Sequence, residues 1–311
     1  MDSVSIGVPV WNGERYLETC VASLLDQTRP PDEIVISDNA STDGTGRIAA
    51  GLAAGEPSVR VVHHDVNIGA AGNFNTILDH VEADLFAWCP HDDVWSPGLL
   101  DQLAAAHHDT DVAVSYGNAR HIDELGEDAG APVAAIWTDA ADPVDRLAEL
   151  LADPIHSHLH VCNPILGLMR RTLLLETGLI RPFGGSDKVL IVEMAFRGRL
   201  APVQAPFLRR VHASSSVRAN PDSESRQRWF DPSAKGPALP ESRLLGALWT
   251  AVGDAPLDGR QTRRARTLLA RWAATGRRPL VVAGEARRWA AWRLATASRR
   301  RPFSSGGDGA S

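Results

Sequence analysis

The 311-residue sequence contains only three cysteines and no long apolar run. Cys20, Cys89 and Cys162 are too few and too widely spaced for a disulfide framework or a zinc-ligand pattern, which suits a reducing compartment. No apolar stretch reaches the ~18 residues of a membrane span, and the first residues lead into a strand-like run rather than a signal peptide. These absences predict a soluble, cytoplasmic protein.

Lysine is also scarce, and the arginines that carry most of the positive charge are unevenly placed. Residues 260–301 hold thirteen arginines against one acid, Glu285, whereas residues 1–259 hold 19 basic residues and 36 acids. A strongly acidic body binds nucleic acid poorly, because duplex affinity comes mostly from neutralised phosphates. The composition therefore predicts no nucleic-acid partner.

Two glycine-rich phosphate-binding motifs are absent as well. No Gly-x-Gly-x-x-Gly follows the first predicted strand, and Gly-x-x-x-x-Gly-Lys-Ser/Thr occurs nowhere in the chain. Both motifs work by bringing backbone N–H groups close to phosphates, so their absence argues against a dinucleotide oxidoreductase and a P-loop nucleotidase.

The first 115 residues alternate short β-branched runs with segments of helical period. The pattern predicts strands at 4–8, 33–37, 59–63 and 84–89, and helices at 14–27, 43–54 and 70–81. Such alternation indicates parallel βαβ units. The pattern then becomes less regular: it predicts a loop at 123–142, strands at 163–169 and 203–211, and helices at 144–151, 188–197 and across 241–298.

Acidic and amide side chains follow each of the four predicted parallel strands. They are Asn12 and Glu14, Asp38 and Asp43, Asn67 and Asn73, and Asp92 and Asp93. Ligands bind beyond the carboxyl ends of parallel strands, so these side chains should share one crevice. Adjacent carboxylates are hard oxygen ligands suited to Mg²⁺ or Mn²⁺, which could bridge to a nucleotide diphosphate.

This combination of motifs resembles the family 2 glycosyltransferases from about Val4 to His212. The matching segments are Pro9-x-x-Asn12-Gly13-Glu14-x-Tyr16-Leu17, Asp38-Asn-Ala-Ser41-Thr-Asp43-Gly44-Thr45, Asn67-x-Gly69 with Asn73, and His91-Asp92-Asp93 as the Asp-x-Asp motif. The resemblance implies an α/β domain of the GT-A fold, which is Rossmann-like. It also implies glycosyl transfer from a nucleotide-sugar, a divalent metal (Mn²⁺ or Mg²⁺), and inversion at the anomeric carbon.

The resemblance also implies roles for individual residues. Nucleotide-binding residues would be Pro9, Val10, Trp11, Glu14, Asp38, Asn67, Asn73 and Asp92. Asn67 and Asn73 could instead hold the surrounding loop. Asp93 would be the direct metal ligand, His212 could complete the metal shell, and an arginine of the Arg209-Arg210 pair could meet the diphosphate.

The catalytic base implied by the resemblance is Asp187, at the start of a helix that ends near Gly198. The family usually has Glu-Asp at this position, but this chain has Ser186 in place of Glu, which leaves acceptor contacts of that residue in question. Glu193, almost two turns further along the helix, is the alternative base. His156, His158 and His160 would line the acceptor side or lie on the surface.

The predicted domain organisation has four parts. Residues 1–216 form the GT-A domain, with a nucleotide-sugar half at 1–115 and an acceptor and catalytic half at 116–216; a mobile linker (217–240), a basic helical appendage (241–301) and a disordered tail (302–311) follow. Trp289 and Trp292 among arginines are typical of a helix in a membrane interface. The same helix could instead pack on the catalytic domain or form a homodimer.

The predicted function is metal-dependent, inverting transfer of a sugar to an acceptor hydroxyl on a polysaccharide, glycolipid or natural product. Two alternatives stay open. The departure at Ser186 would suit a domain that binds nucleotide-sugar without catalysis. A sugar-phosphate nucleotidyltransferase would share the acidic metal site but should open with a glycine-rich, arginine-bearing loop, where this chain has Pro-Val-Trp-Asn.

Overall fold

The computed structural model describes residues 2–130, 138–152, 163–212 and 219–298. Within these residues the strands are β1 Val4–Val10, β2 Glu33–Asp38, β3 Val59–His63, β4 Leu85–Trp88, β5 Val94–Trp95, β6 Val112–Ile122, β7 Leu168–Arg170 and β8 Arg199–Arg210. They form one sheet in the order β3-β2-β1-β4-β7-β6-β8-β5. Strands β1 to β4 pair in parallel, as the strand-helix alternation predicts.

The second half of the sheet is mixed. β7 is antiparallel to both β4 and β6, whereas β6 and β8 form a long parallel pair and β5 is antiparallel to β8. The predicted boundary at residue 115 falls inside β6, so the two halves share a strand rather than meeting at a linker. Polar residues and Gly117 interrupt the apolar pattern of β6, which hid this strand from sequence reasoning.

Helices cover both faces of the sheet. They are α1 Leu17–Leu25, α2 Thr45–Gly55, α3 Gly69–Thr76 (continued by a 3-10 turn, Ile77–His80), α4 Leu99–Ala106, α5 Pro143–Leu151, α6 Arg171–Leu175, α7 Ser186–Arg197, α8 Ser223–Phe230, α9 Pro240–Asp254, α10 Gly259–Ala273 and α11 Arg278–Ser298. One apolar cluster packs α1 and α4 against the sheet, and another packs α3, α5, α7, α9 and α10. β1 lies between both clusters and is buried along its whole length.

The predicted mobile linker contains a folded helix, so that prediction is wrong for α8. Asp222 caps the helix, because its Oδ1 accepts a hydrogen bond from Ser225 N at 2.7 Å. The Ser/Asp-rich composition that suggested a loop is here the signature of an N-cap. α8 packs on the start of α3, where a Cβ at Gly69 would clash with the backbone carbonyl of Phe230.

The appendage consists of three helices, α9 to α11, in agreement with the sequence. Leu244, Leu248 and Val252 of α9 are buried in the same cluster as the inner face of α7. No helix in the described ranges is long and apolar enough to cross a membrane. The predicted tail at 302–311 lies outside the described residues.

Candidate active site

The loops that follow β1 and β2 hold each other through hydrogen bonds. Asn12 adopts a left-handed conformation (φ 52°), and its Oδ1 accepts from Thr42 N at 2.8 Å while its own N–H donates to Ser41 Oγ at 2.9 Å. Glu14 Oε2 accepts from Gly44 N at 2.7 Å. We call loops 11–14 and 39–45 the strand-end rim. Its motif residues are largely engaged with one another.

Asp38 is buried at the end of β2, with both carboxylate oxygens close to protein groups. Oδ1 accepts from Ser41 N at 3.0 Å, and Oδ2 lies 3.1 Å from His63 Nδ1. The Asp38 side chain is 1% exposed, whereas that of His63 is 60% exposed. A ligand that hydrogen-bonds Asp38 Oδ2 would therefore have to displace the exposed His63 ring.

Asn67 and Asn73 both hold loops in the described structure. Asn67 Oδ1 accepts from Gly69 N at 2.8 Å and from Asn39 Nδ2 at 3.1 Å. Asn73 is buried, its Oδ1 accepting from Ser37 Oγ at 2.6 Å and its Nδ2 donating to Val10 O at 3.4 Å. These contacts favour the loop-holding alternative. Sequence reasoning missed Asn39, whose Oδ1 accepts from Ile68 N at 2.8 Å.

Pro9 and Val10 end β1, and Trp11 is the first residue of the strand-end rim. Pro9 and Val10 are buried and pair with Ser37 and Asp38 of β2. Trp11 differs because its ring is 46% exposed beside the rim. An exposed indole at a strand end provides a flat apolar surface on which a base could stack.

The loop at 90–93, which we call the acidic loop, is fastened to the end of β8. Asp93 is 3% exposed, and its Oδ1 accepts from Arg210 N at 2.8 Å. Asp92 Oδ2 lies 2.9 Å from His212 Nε2, so the imidazole N–H donates to the carboxylate. The structure thus pairs His212 with Asp92, whereas Asp93 is held by the backbone of Arg210, two residues before His212.

The two carboxyl groups have opposite pKa shifts. Burial, together with the neighbouring Asp92 charge, raises the pKa of Asp93 well above its usual range. Burial alone would raise the pKa of Asp92, but the hydrogen bond from His212 and the charges of His91 and His212 hold it below its ordinary value. Two adjacent buried carboxylates are costly when both are ionised, and a divalent cation would offset that cost.

This donor set fits a divalent metal that shares its coordination shell with a substrate. Within the described residues no three His, Cys, Asp or Glu side chains are arranged as a ready-made metal cage. Mg²⁺ typically takes one or two carboxylates and completes its shell with phosphates and water. Asp92 and Asp93, with the His212 imidazole beside Asp92, are the side chains here that would contribute to such a shell.

Arg210 holds the acidic loop rather than facing open space. Its guanidinium donates to the carbonyl oxygens of Asp92 at 3.1 Å and Asp123 at 2.8 Å. It also lies 4.8 Å from the ring centroid of Tyr16. Arg209 is the other arginine of the pair, and its charge lowers the pKa of Asp93 against the effect of burial.

Asp187 lies in the first turn of α7 and is partly exposed. The positive end of a helix stabilises a carboxylate there. Gly185, with φ 95°, makes the turn into the helix. Ser186 is fully buried, and its hydroxyl has no hydrogen-bond partner among the described residues.

Both carboxylate oxygens of Glu193, the alternative base, accept hydrogen bonds from the protein. Its Oε1 and Oε2 accept from the Arg181 guanidinium at 2.6 and 3.0 Å, and Oε2 also accepts from Gly178 N at 3.3 Å. The side chain is 5% exposed. A carboxylate saturated in this way braces loop 178–185, which we call the entry loop, and cannot readily take a proton from an acceptor. His156, His158 and His160 lie outside the described residues.

The sequence profile of the family described as glycosyl transferase family 2 matches residues 5–173, just over half of the chain. The chain belongs to glycosyl transferase family 2. Members of this family are enzymes that transfer glycosyl groups. The matched residues include the strand-end rim and the acidic loop, whereas Asp187, Arg210 and His212 lie beyond them.

Individual relatives agree with this assignment. The glycosyltransferase GlyG of Streptococcus pneumoniae serotype 4 is 30% identical over 121 residues, which cover 39% of this chain and 40% of GlyG. S. aureus TarS 1–349, solved in complex with UDP, has a TM-score of 0.60 at 16% identity and covers 88% of this chain and 73% of that one. The mannosyltransferase PcManGT of Pyrobaculum calidifontis, solved with GDP-Man and Mn²⁺, has a TM-score of 0.53 at 18% identity over 96% of this chain and 88% of that one.

These likenesses confirm the predicted GT-A fold with its helical C-terminal region. The chain spans from 26% to 54% of the length of the curated relatives it matches.

Proposed function

We propose that this chain is a metal-dependent, inverting glycosyltransferase that moves a sugar from a nucleotide-diphosphate sugar to an acceptor hydroxyl. The observation that carries the proposal is the acidic loop, where Asp92 and Asp93 are fastened to His212 and the Arg210 backbone at the carboxyl edge of the sheet. The UDP complex of TarS and the GDP-Man and Mn²⁺ complex of PcManGT support such a donor and cofactor.

The strand-end rim and the acidic loop would bind the donor. Trp11 would stack on the base, while Pro9, Val10, Glu14 and Asp38, with Asn67 and Asn73 behind them, would shape the nucleotide pocket. Asp92 would face the ribose or the metal. A metal held by Asp93 and His212 would neutralise the charge that develops on the leaving diphosphate.

Asp187 would act on the acceptor side. Inversion requires one displacement, in which the acceptor hydroxyl attacks from the face opposite the leaving group while a carboxylate removes its proton. Asn75 of α3 fastens the entry loop to the nucleotide half, since its side chain hydrogen-bonds Ile180 O at 2.8 Å and Ile180 N at 3.1 Å. This contact would keep Asp187, the proposed catalytic base, at a fixed position relative to the bound donor.

The acceptor would be a hydroxyl of a polysaccharide, a glycolipid or a natural product. We further propose a cytoplasmic enzyme without a nucleic-acid partner, whose basic helices contact either a membrane surface or a second copy of the chain. The charge distribution and the exposed side chains of α11 support the last point.

A panel of nucleotide-sugars tests the proposal. Each would be mixed with the protein and Mn²⁺, and thermal stabilisation, release of nucleoside diphosphate and product stereochemistry would be measured. We expect stabilisation by one class of donor, loss of that effect with a chelator, and inverted product. Binding without transfer or hydrolysis would indicate a non-catalytic domain, and release of pyrophosphate from a nucleoside triphosphate and a sugar phosphate would indicate a nucleotidyltransferase.

A further inference from the structure

The surface of α10 and α11 carries no exposed acid among its described residues. Between residues 259 and 298 the only acid is Glu285, which is 1% exposed. Its carboxylate caps α9 by accepting from Ser242 N at 2.8 Å and from Glu241 N at 3.1 Å. The single negative charge of this segment is therefore buried inside the appendage and does not offset the arginines on its surface.

Most arginines of the segment are not neutralised by the acidic body. Arg264 pairs with Asp142 and Asp145, and Arg278 pairs with Glu241 at 3.1 Å. Within the described part of the chain, the others are exposed and have no acid within 4.0 Å: Arg260, Arg263, Arg266, Arg271, Arg277, Arg287, Arg288 and Arg293. Packing on the body thus accounts for a minority of the positive charge.

Large apolar side chains are exposed among these arginines. Leu280 and Leu294 on α11 are 76% and 74% exposed, and Trp289 and Trp292 are 45% and 38% exposed. The two leucines are fourteen residues apart, close to four helical turns, so they lie on the same side of α11. Trp292 rests partly on Gly236, which shows that the tryptophan side faces the protein and the leucine side faces outward.

Three kinds of partner could neutralise such a surface, and they differ in what they offer the leucines. Nucleic acid supplies phosphates but covers no outward leucine. A second copy meeting the same face would bring like charges together. An anionic bilayer surface supplies negative headgroups for the arginines and an acyl boundary for the leucines.

We propose that α10 and α11 form a peripheral binding surface for an anionic membrane, with α11 lying flat and its Leu280–Leu294 side against the acyl boundary. Long arginine side chains can keep their charge at the headgroups while their stems follow the apolar surface. The proposal resolves the choice left open under the proposed function, and its test does not require glycosyl transfer.

Two contacts connect this surface to the catalytic side. Trp292 lies beside Gly236, and the preceding helix α8 places Phe230 next to Gly184 of the entry loop, where a glycine Cβ would be 3.8 Å from its ring. A membrane-bound α11 would therefore hold the side of the molecule that contains Asp187 close to lipid-borne acceptors.

Vesicle sedimentation with the full chain tests the proposal. We expect the protein to pellet with vesicles of phosphatidylcholine and phosphatidylglycerol at low salt, to stay in solution with phosphatidylcholine alone, and to be released by high salt. Arg271→Glu with Arg287→Glu should weaken partitioning by at least about 25-fold, since each basic residue contributes about a factor of five at an anionic surface and the new carboxylates add repulsion. Leu280→Ser with Leu294→Ser should weaken it by roughly tenfold or more.

Matched controls are available on the acidic body. Leu125 is 84% exposed, so Leu125→Ser removes an equally exposed leucine, and Arg29→Glu with Arg47→Glu makes the same change of charge. Neither control should alter vesicle binding. The proposal is overturned if the wild-type chain stays in solution with anionic vesicles at low salt, if the leucine pair has no effect, or if the controls weaken binding equally. Circular dichroism of each variant excludes unfolding as the cause.

Discussion

The two sides of the candidate crevice differ in how their side chains are engaged. On the nucleotide side, the rim residues Asn12 and Glu14 and the supporting Asn73 bond mainly to other parts of the protein. On the catalytic side, Asp187 lies partly exposed in the first turn of α7, next to the buried Ser186 hydroxyl. We therefore expect most motif residues on the first side to hold the loops of the pocket, and Asp187 on the second side to act directly on the acceptor.

The sharpest test of this contrast is Asp187→Asn. Turnover should fall by ~10²–10⁴, the usual contribution of a positioned base, while nucleotide binding stays near normal. Single-turnover kinetics and calorimetry would measure the two quantities. A fall of only a few-fold would mean that the base is another residue.

Glu193→Ala provides the contrasting change on the same helix. It leaves the Arg181 guanidinium, which is 19% exposed, without its carboxylate partner, so the free energy of unfolding should drop by about 3 kcal/mol. Denaturant titration would show the loss. Wild-type stability together with lost turnover would contradict the bracing role and revive Glu193 as the base.

Asp93→Ala tests the metal ligand on the nucleotide side. Removing this carboxylate leaves the diphosphate charge less compensated, so Mn²⁺-dependent nucleotide binding should weaken by roughly 100-fold or more. Calorimetry with and without Mn²⁺ is the measurement. Mn²⁺-dependent binding of wild-type strength would exclude Asp93 as a direct ligand.

Asn73→Ala tests whether this buried amide holds the loop or contacts the nucleotide. It would leave the buried Ser37 hydroxyl without its acceptor, at a cost of about 1–3 kcal/mol in stability. Nucleotide affinity should change by no more than a few-fold in the folded protein. A large loss of affinity at unchanged melting temperature would place Asn73 in direct contact with the nucleotide.

Trp11 is the rim side chain whose exposure suits ligand contact. Trp11→Ala should weaken nucleotide binding by about 1 kcal/mol, the scale of an aromatic stacking contact, and Trp11→Phe should restore most of it. Stability should hardly change because the ring is half exposed. Equal nucleotide affinities of the wild type, Trp11→Ala and Trp11→Phe would show that Trp11 does not contact the nucleotide.

Regular and locally encoded parts of the fold could be predicted from the sequence. β3 was expected at 59–63 and is found at Val59–His63, because an apolar β-branched run bounded by turns leaves little choice. β6 could not be predicted in this way. Its central Gly117 is required by tertiary packing, since a Cβ there would lie 2.8 Å from Ala205 O of β8.

The candidate site shows the same division. The motifs predicted that the acidic loop and His212 would share one site, and the structure shows His212 bonded to Asp92, while Asp93 is bonded to the Arg210 backbone. They did not predict that Arg210 turns inward, because that depends on carbonyl oxygens at Asp123 and Glu124, which come from a different strand end. Contacts made by backbone atoms of distant loops have no side-chain signature in a sequence.

The register in which β8 pairs with β6 determines which residue of β8 contacts the acidic loop. The register shifts between Gly117 and Asn118, where two residues of β8 are looped out before Pro206 pairs with Asn118. Successive side chains of a strand point to opposite faces, so one residue more or less in this bulge would exchange the positions of Arg209 and Arg210. The chain length between Arg199 and Arg210 therefore sets which of the two arginines fastens the acidic loop, and an insertion or deletion in this bulge would change that residue.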